Sequence, residues 1–167
     1  MKNISLKVYF DKLHYEFIET YSFKRGPKLE SELGKKDFDL NGTSFIMSAQ
    51  GQIDVTADKI AVIRKGTSEH EEINRIFAIP LTDIPSWMCS PFYRDALIFR
   101  SKDNQIVDTL NICFECSYMQ NKLGNFIDAD QRMYDEVQSL LKSLGHNIQK
   151  DESLQLREKI KGLKKVR

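Results

Sequence analysis

The sequence of 167 residues predicts an α+β fold, a mostly antiparallel β-sheet followed by one or two C-terminal helices. Three observations carry this reading. The first two-thirds consists of short apolar runs separated by turn residues, the pattern of successive strands. The final third switches to a helical period. Strands precede helices instead of alternating with them, which favours antiparallel pairing over βαβ crossovers. A chain of this length suits one domain, so residues 1–150 are assigned to a single α+β domain and residues 151–167 to a basic C-terminal helix or tail.

The elements follow in order. Ile4, Leu6, Val8 and Phe10 alternate with polar residues, which predicts a half-buried strand. The stretch from Lys12 to Phe23 fits a strand through Leu13, Tyr15 and Phe17, and a helix through Phe10, Leu13, Phe17 and Tyr21; both remain open. Residues 24–36, with Gly26-Pro27, read as a loop. Asn41-Gly42 and Gly51 bracket a short strand from Thr43 to Met47. Ile53-Asp54-Val55 and Ile60 to Ile63 read as two strands joined near Ala57-Asp58. Lys65 to Glu72 is polar and predicts a loop, and Ile73 to Leu81 a strand closed by Pro80. After an irregular connection from Thr82 to Trp87, Ala96 to Phe99 and Ile106 to Phe114 form a hairpin turning at Asp103-Asn104. Asp128 is the expected N-cap of a helix with Gln131 at the capping-box position. Met133, Val137, Leu140, Leu141 and Leu144 make its apolar stripe, and Gly145 ends it. A second, basic helix is expected from Ser153 to Val166.

Composition narrows the class. Hydrophobic residues at 41% and charged residues at 29% describe a globular chain and not a disordered one. A net charge of +1 disfavours a nucleic-acid binder, which usually carries a basic domain. No run approaches the ~20 apolar residues of a membrane span, and the alternating N-terminus leads us to expect no signal peptide. Three cysteines, an odd number, argue against a secreted disulfide framework and favour a reducing, cytoplasmic location.

The chemically distinctive residues are Cys113 and Cys116, in Ile112-Cys113-Phe114-Glu115-Cys116, with Cys89 upstream. The hairpin register places Leu97 opposite Leu110, Arg94 opposite Cys113 and Pro91 opposite Cys116. Cys89 then lies roughly 7 Å of extended chain beyond Pro91, across a strand spacing of ~4.8 Å. The three thiols therefore fall at the open end of one hairpin. Three readings are open. A zinc site needs a fourth ligand, with His146 or His70 as candidate. A redox CxxC normally sits at a helix N-terminus, whereas Cys113 falls in a strand. Simple burial as small hydrophobes is the preferred reading.

Other features have plainer explanations. His14, His70 and His146 are far apart and lack HxxH spacing. Asp128, Asp130, Asp135 and Glu136 fit helix capping and the helix dipole. The aromatic loop Trp87-Met88 and Pro91-Phe92-Tyr93 suits a lid over the sheet, or else a pocket wall or partner surface. No phosphate-binding glycine loop occurs.

From Cys89 to Gly145, the run Cys-Ser-Pro-Phe-Tyr-Arg-Asp-Ala-Leu-Ile-Phe, then Leu-Asn-Ile-Cys-Phe-Glu-Cys, then a helix ending in Leu-Gly-His resembles a group of uncharacterised bacterial proteins. These carry an Ile-Cys-Phe-x-Cys motif after an upstream cysteine. The resemblance implies that Cys89, Cys113 and Cys116 form a set, and it assigns no catalytic residue. With no nucleophile–base pair in view, the expected function is a small non-enzymatic binding protein with a protein partner, for example a larger bacterial effector. The alternative is a cysteine-based module, either a zinc site or a thiol redox pair.

Overall fold

The computed structural model describes residues 3–23, 46–47, 51–54, 57–86, 91 and 93–148. Among them are seven strands: β1 (Ile4–Ser5), β2 (Phe17–Phe23), β3 (Ala57–Arg64), β4 (Asp95–Arg100), β5 (Ile106–Cys113), β6 (Tyr118–Asn121) and β7 (Phe126–Asp128). They form one sheet in the order β1-β7-β6-β5-β4-β2-β3. Every pairing is antiparallel except β1 on β7. Three helices accompany the sheet: α1 (Leu6–Asp11), α2 (Ser68–Phe77) and α3 (Gln131–Ser143). The fold is the expected α+β class. The basic helix expected over 153–166 and the loop over 24–36 lie outside the described residues.

The β4–β5 hairpin centres the sheet in the expected register, with Leu97 opposite Leu110 and Asp95 opposite Ile112. Its turn differs from the expected two-residue form. Ser101 N–H donates to the Gln105 carbonyl at 2.9 Å, and Asn104, at φ 61°, closes a three-residue loop. A register shift at Phe99/Arg100 absorbs the extra residue, so the pairing farther down is unchanged. Alternation then aims Leu97, Phe99, Leu110 and Ile112 at the main core, where they meet Phe10, Ile73, Ile76, Phe77, Met133, Val137 and Leu141 of the helices. Ala96 and Ile98 face the other side with Tyr21 and Ile46.

Two predicted strands are helices. Leu6–Asp11 forms α1, with Ser5 as N-cap accepting from Val8 N–H. A six-residue helix is too short to hold itself. Burial of Leu6, Tyr9 and Phe10 on one side contributes roughly 1.5–3 kcal/mol each and decides the outcome. Val8, one of the four residues of the predicted alternation, is 44% exposed. Residues 68–77 form α2 where a loop and strand were expected. Thr67 caps it by accepting from His70 N–H, Glu69 and Glu71 occupy the first turn, and Ile73, Ile76 and Phe77 are buried together. Farther back, Ile53 makes only a single bridge, to Met47. The expected turn at Ala57-Asp58 is instead the start of the continuous β3.

Among the described residues β3 is an edge strand, and its edge is blunted. Thr20 pairs with Ala61 while Tyr21 pairs with Lys59, leaving Ile60 as the extra residue of a β-bulge. The outward residues Lys59, Val62 and Arg64 are exposed. A bulge flanked by cations disfavours strand addition there.

α3 is capped at its N-terminus by a side chain and at its C-terminus by backbone N–H groups. The N-cap is Asp130, two residues after the expected Asp128, which belongs to β7. Asp130 is fully buried. One carboxylate oxygen accepts from Thr82 N–H at 2.7 Å and Asp83 N–H at 2.9 Å; the other accepts from Arg132 Nε at 2.7 Å and Arg132 N–H at 3.1 Å. The cap therefore also ties the 82–83 connection to the helix. At the other end Gly145, at φ 103°, is the expected C′ residue. Its N–H donates to the Lys142 carbonyl, and His146 N–H donates to the Leu141 carbonyl. This is the Schellman arrangement.

An alanine at Gly145 must adopt a left-handed conformation with its Cβ 3.6 Å from Ile60 Cγ2. Gly145→Ala is expected to cost about 1 kcal/mol, read as a lower urea midpoint at unchanged m. Asp130 makes a pH prediction. The Arg132 hydrogen bond holds its carboxyl well below the ordinary aspartate range, against the opposing effect of burial. A depressed folded-state pKa gives stability that is complete above the unfolded value of about 3.9 and drains as pH falls below it. Asp130→Asn should therefore be less stable than wild type at pH 7, and the gap in Tm should narrow below pH ~4.

Candidate functional site

The hairpin register brings the chemistry-bearing residues to one end of the sheet. β5 ends at Cys113, which pairs with Tyr118 at the start of β6. The CxxC motif is thus the turn of a second hairpin: Cys113 closes the ladder, and Cys116 lies in the four-residue loop from Phe114 to Ser117. Ser117 adopts φ 52°, a left-handed conformation that costs a non-glycine residue on the order of 1 kcal/mol. Its Oγ pairs with Gln131 Oε1 at 3.4 Å, which links the loop to the first turn of α3. Across the hairpin end, Arg94 forms an ion pair with Glu115 at 3.2 Å.

Cys113 and Cys116 pack with the fully buried Tyr93 and against Tyr118. They are 2% and 8% exposed. Their chemical states differ. Cys116 is disulfide-bonded, and Cys113 is not part of a disulfide. Cys89 lies outside the described residues. Burial, helped by the charges of Cys113 and Tyr118, pushes the Tyr93 phenol above its ordinary value, so Tyr93 stays neutral there. Tyr134 on α3 is raised in the same way, by burial first.

Beside this cluster opens a cleft of about 330 Å³. Ile84, Pro85, Pro91, Tyr118, Phe126 and Tyr134 form its apolar walls, and Asn3, Ser117 and Asp128 its polar ones. Ile84 and Phe126 are 49% and 42% exposed, so the apolar lining continues onto the surface. Tyr118 and Phe126 stack at 5.6 Å with a 52° tilt. Asp128 accepts from Asn3 Nδ2 at 2.8 Å through one oxygen. Of the aromatic run, Pro91 lines the cleft, and Trp87, Met88 and Phe92 lie outside the described residues. No sequence signal marks Phe126 or Ile84, because β7 is too short to show alternation.

The histidines proposed as metal ligands are engaged elsewhere. His146 is 4% exposed. Its Nδ1 lies 2.8 Å from Asp95 Oδ1 and its Nε2 2.9 Å from Thr20 Oγ1. The Asp95 carboxylate accepts from Nδ1, and Nε2 pairs with the Thr20 hydroxyl. That hydroxyl in turn accepts from Ala61 N–H at 3.1 Å. Neither ring nitrogen is open to a metal. The acid–imidazole–hydroxyl order matches that of nucleophilic hydrolases, but Thr20 and Asp95 are both 0% exposed. No substrate reaches them, and the chain joins α3 to β2 and β4 as a buried strut.

His70 pairs with Tyr15 Oη at 2.9 Å and Asn74 Nδ2 at 3.2 Å. Burial first, then the Lys65 charge, lowers its pKa, while burial raises the Tyr15 phenol to about 12. His14 bonds the Lys12 carbonyl. The carboxylates Asp128, Asp130, Asp135 and Glu136 do not converge: Asp135 bonds Gln131 and Glu136 bonds Arg75. Among the described residues no three His, Cys, Asp or Glu side chains gather as a metal site.

Replacing His146 with leucine removes one hydrogen bond from each of two fully buried groups. His146→Leu should cost roughly 3 kcal/mol, measured by urea unfolding.

Comparison with known proteins leaves the site to be judged on its geometry. No family model matches the chain, and it matches no curated protein or solved structure.

Proposed function

We propose that the chain is a small non-enzymatic binding protein whose cleft receives an exposed segment of a partner protein. The observation that carries this reading is an apolar cleft whose walls spill onto the surface at Ile84 and Phe126. Half-exposed apolar groups around a concave site are an expected mark of a binding surface. Asp128 is the charged residue in the lining, and Asp83 adjoins Ile84 on the chain. The occupant that complements this surface is an aromatic or branched apolar side chain next to a lysine or arginine. Nothing in this reading calls on nucleic acid, and we place the protein in the cytoplasm. No described helix is long and apolar enough to cross a membrane.

The three cysteines support a second role. A disulfide sulfur has no thiolate lone pair to give a zinc ion, so the disulfide at Cys116 favours thiol–disulfide chemistry over a structural metal. In a cytoplasmic protein such a bond is usually transient and redox-sensing.

The cleft reading is tested by affinity capture from the native cell with wild type and with the double variant Ile84→Asp, Phe126→Asp. Both positions are exposed, so folding should persist, as checked by an unchanged Tm. Loss of an anchor in a desolvated pocket costs about 2 kcal/mol or more, some 30-fold in affinity. The expected result is a partner held by wild type and lost by the variant. A partner held equally by both, or none held by wild type, overturns the proposal.

A further inference from the structure

We infer that Tyr134 makes the cleft selective for a tyrosine side chain, its hydroxyl donating to the phenol oxygen of the anchor that the partner inserts. The inference rests on the cleft reading above and names its anchor. Tyr134 stands near the start of α3, where the Asp130 cap fixes the helix. Its ring belongs to the main core, and the residue also lines the cleft. After burial, the influences on its hydroxyl are the charges of Tyr93, Cys113, Asp128 and Tyr118. Asp128 and Tyr118 are walls of the cleft, so the oxygen lies at the cleft end of the ring.

That hydroxyl is at odds with its surroundings. Tyr134 is 3% exposed, yet its hydroxyl makes no hydrogen bond among the described residues. A buried tyrosine usually finds such a partner. Phenylalanine would fill the same core space without the cost of a desolvated, unpaired hydroxyl. The oxygen therefore does nothing for the fold. Burial raises the phenol's pKa, which keeps its proton in place and leaves the group a donor at neutral pH.

The surrounding walls select what that donor meets. The tip that reaches Tyr134 must carry an acceptor. A lysine or arginine tip has donors and no acceptor, and a carboxylate tip is repelled by Asp128. The neighbouring rings of Tyr118 and Phe126, with centroids 5.6 Å apart, favour an aromatic body over an amide or an aliphatic alcohol. A phenol satisfies all of these conditions. Its ring packs on the walls, and its oxygen accepts from Tyr134. Its own proton has a carboxylate in the same lining, since only one oxygen of Asp128 is engaged among the described residues, by Asn3. A phenylalanine anchor would fill the space but leave the Tyr134 hydroxyl dry and unpaired, which is how a polar site rejects an analogue lacking one oxygen.

The probes are two blocked tripeptides, acetyl-Lys-Tyr-Lys-amide and acetyl-Lys-Phe-Lys-amide. Each is titrated into the full-length, isotope-labelled protein and followed by amide chemical shifts. The tyrosine peptide should shift the amides of Ser117, Tyr118 and Phe126. It should bind about 10-fold more tightly than the phenylalanine peptide, a difference of ~1.4 kcal/mol. Tyr134→Phe should erase that preference without lowering Tm. Equal affinity of wild type for the two peptides, with the cleft amides shifting, overturns the tyrosine anchor and leaves the cleft reading standing. A preference that survives in Tyr134→Phe, or a Tm that falls in that variant, overturns the role of Tyr134. Cleft amides that respond to neither peptide also overturn the inference, and the affinity capture with Ile84→Asp, Phe126→Asp judges the cleft separately.

Discussion

The pairing of β4 with β5 is the constraint on which the rest of the structure depends. It fixes Leu97 against Leu110 and Asp95 against Ile112, and alternation then decides what faces each layer. Leu97 and Leu110 turn toward the helices and found the main core. Asp95 turns the same way and meets the only imidazole that reaches it, His146. At the ladder's end the same register puts Arg94 within reach of Glu115 and Tyr93 beside Cys113. Slipping it by one residue would exchange the two faces of a strand, expelling Leu110 from the core and Asp95 from its histidine together. The bulge at Phe99/Arg100 is what lets a three-residue turn coexist with that register.

α3 is held on this sheet by polar contacts at its two ends and apolar ones between. Burial of Met133, Val137 and Leu141 supplies attraction without much direction. Direction comes from Asp130, which binds the 82–83 connection, and from the Schellman turn, which delivers His146 to Asp95 and Thr20. Both are buried polar groups with their partners in place. That matters because an unsatisfied buried donor or acceptor costs about 1–3 kcal/mol, enough to penalise any other seating of the helix. The cleft inherits this precision, since Tyr134 and the Ser117–Gln131 contact both depend on where the first turn of α3 sits.

Some of this was legible in the sequence and some was not, for physical reasons. The α3 stripe spans three turns and ends in a glycine, so periodicity and capping agree. The β4–β5 turn announces itself in Asp103-Asn104. By contrast, Ile4, Leu6, Val8 and Phe10 satisfy a strand pattern, and only burial of Leu6, Tyr9 and Phe10 on one face selects the helix. Residues 68–77 follow a cap and two acidic residues that read equally well as a polar loop. β6 and β7 span four and three residues, too few for alternation to show. The cysteine pair was visible as a motif, but its disulfide state was not, because spacing along a chain does not say which sulfur bonds which. His146 was visible too, and was given a ligand's role because its true partners, Thr20 and Asp95, lie 126 and 51 residues away.

The position of CxxC in a turn changes what that motif can do. In a helix-capped CxxC, the dipole activates the first thiol toward outside substrates. Here Cys113 ends a strand and is buried beside Tyr93. The hairpin loop that holds Cys116 also holds the non-glycine left-handed residue Ser117, which lines the cleft. Cys116 to Tyr118 are tied to the rest of the fold by contacts that include the Cys113–Tyr118 pair, the Ser117–Gln131 contact and the Tyr118–Phe126 ring contact.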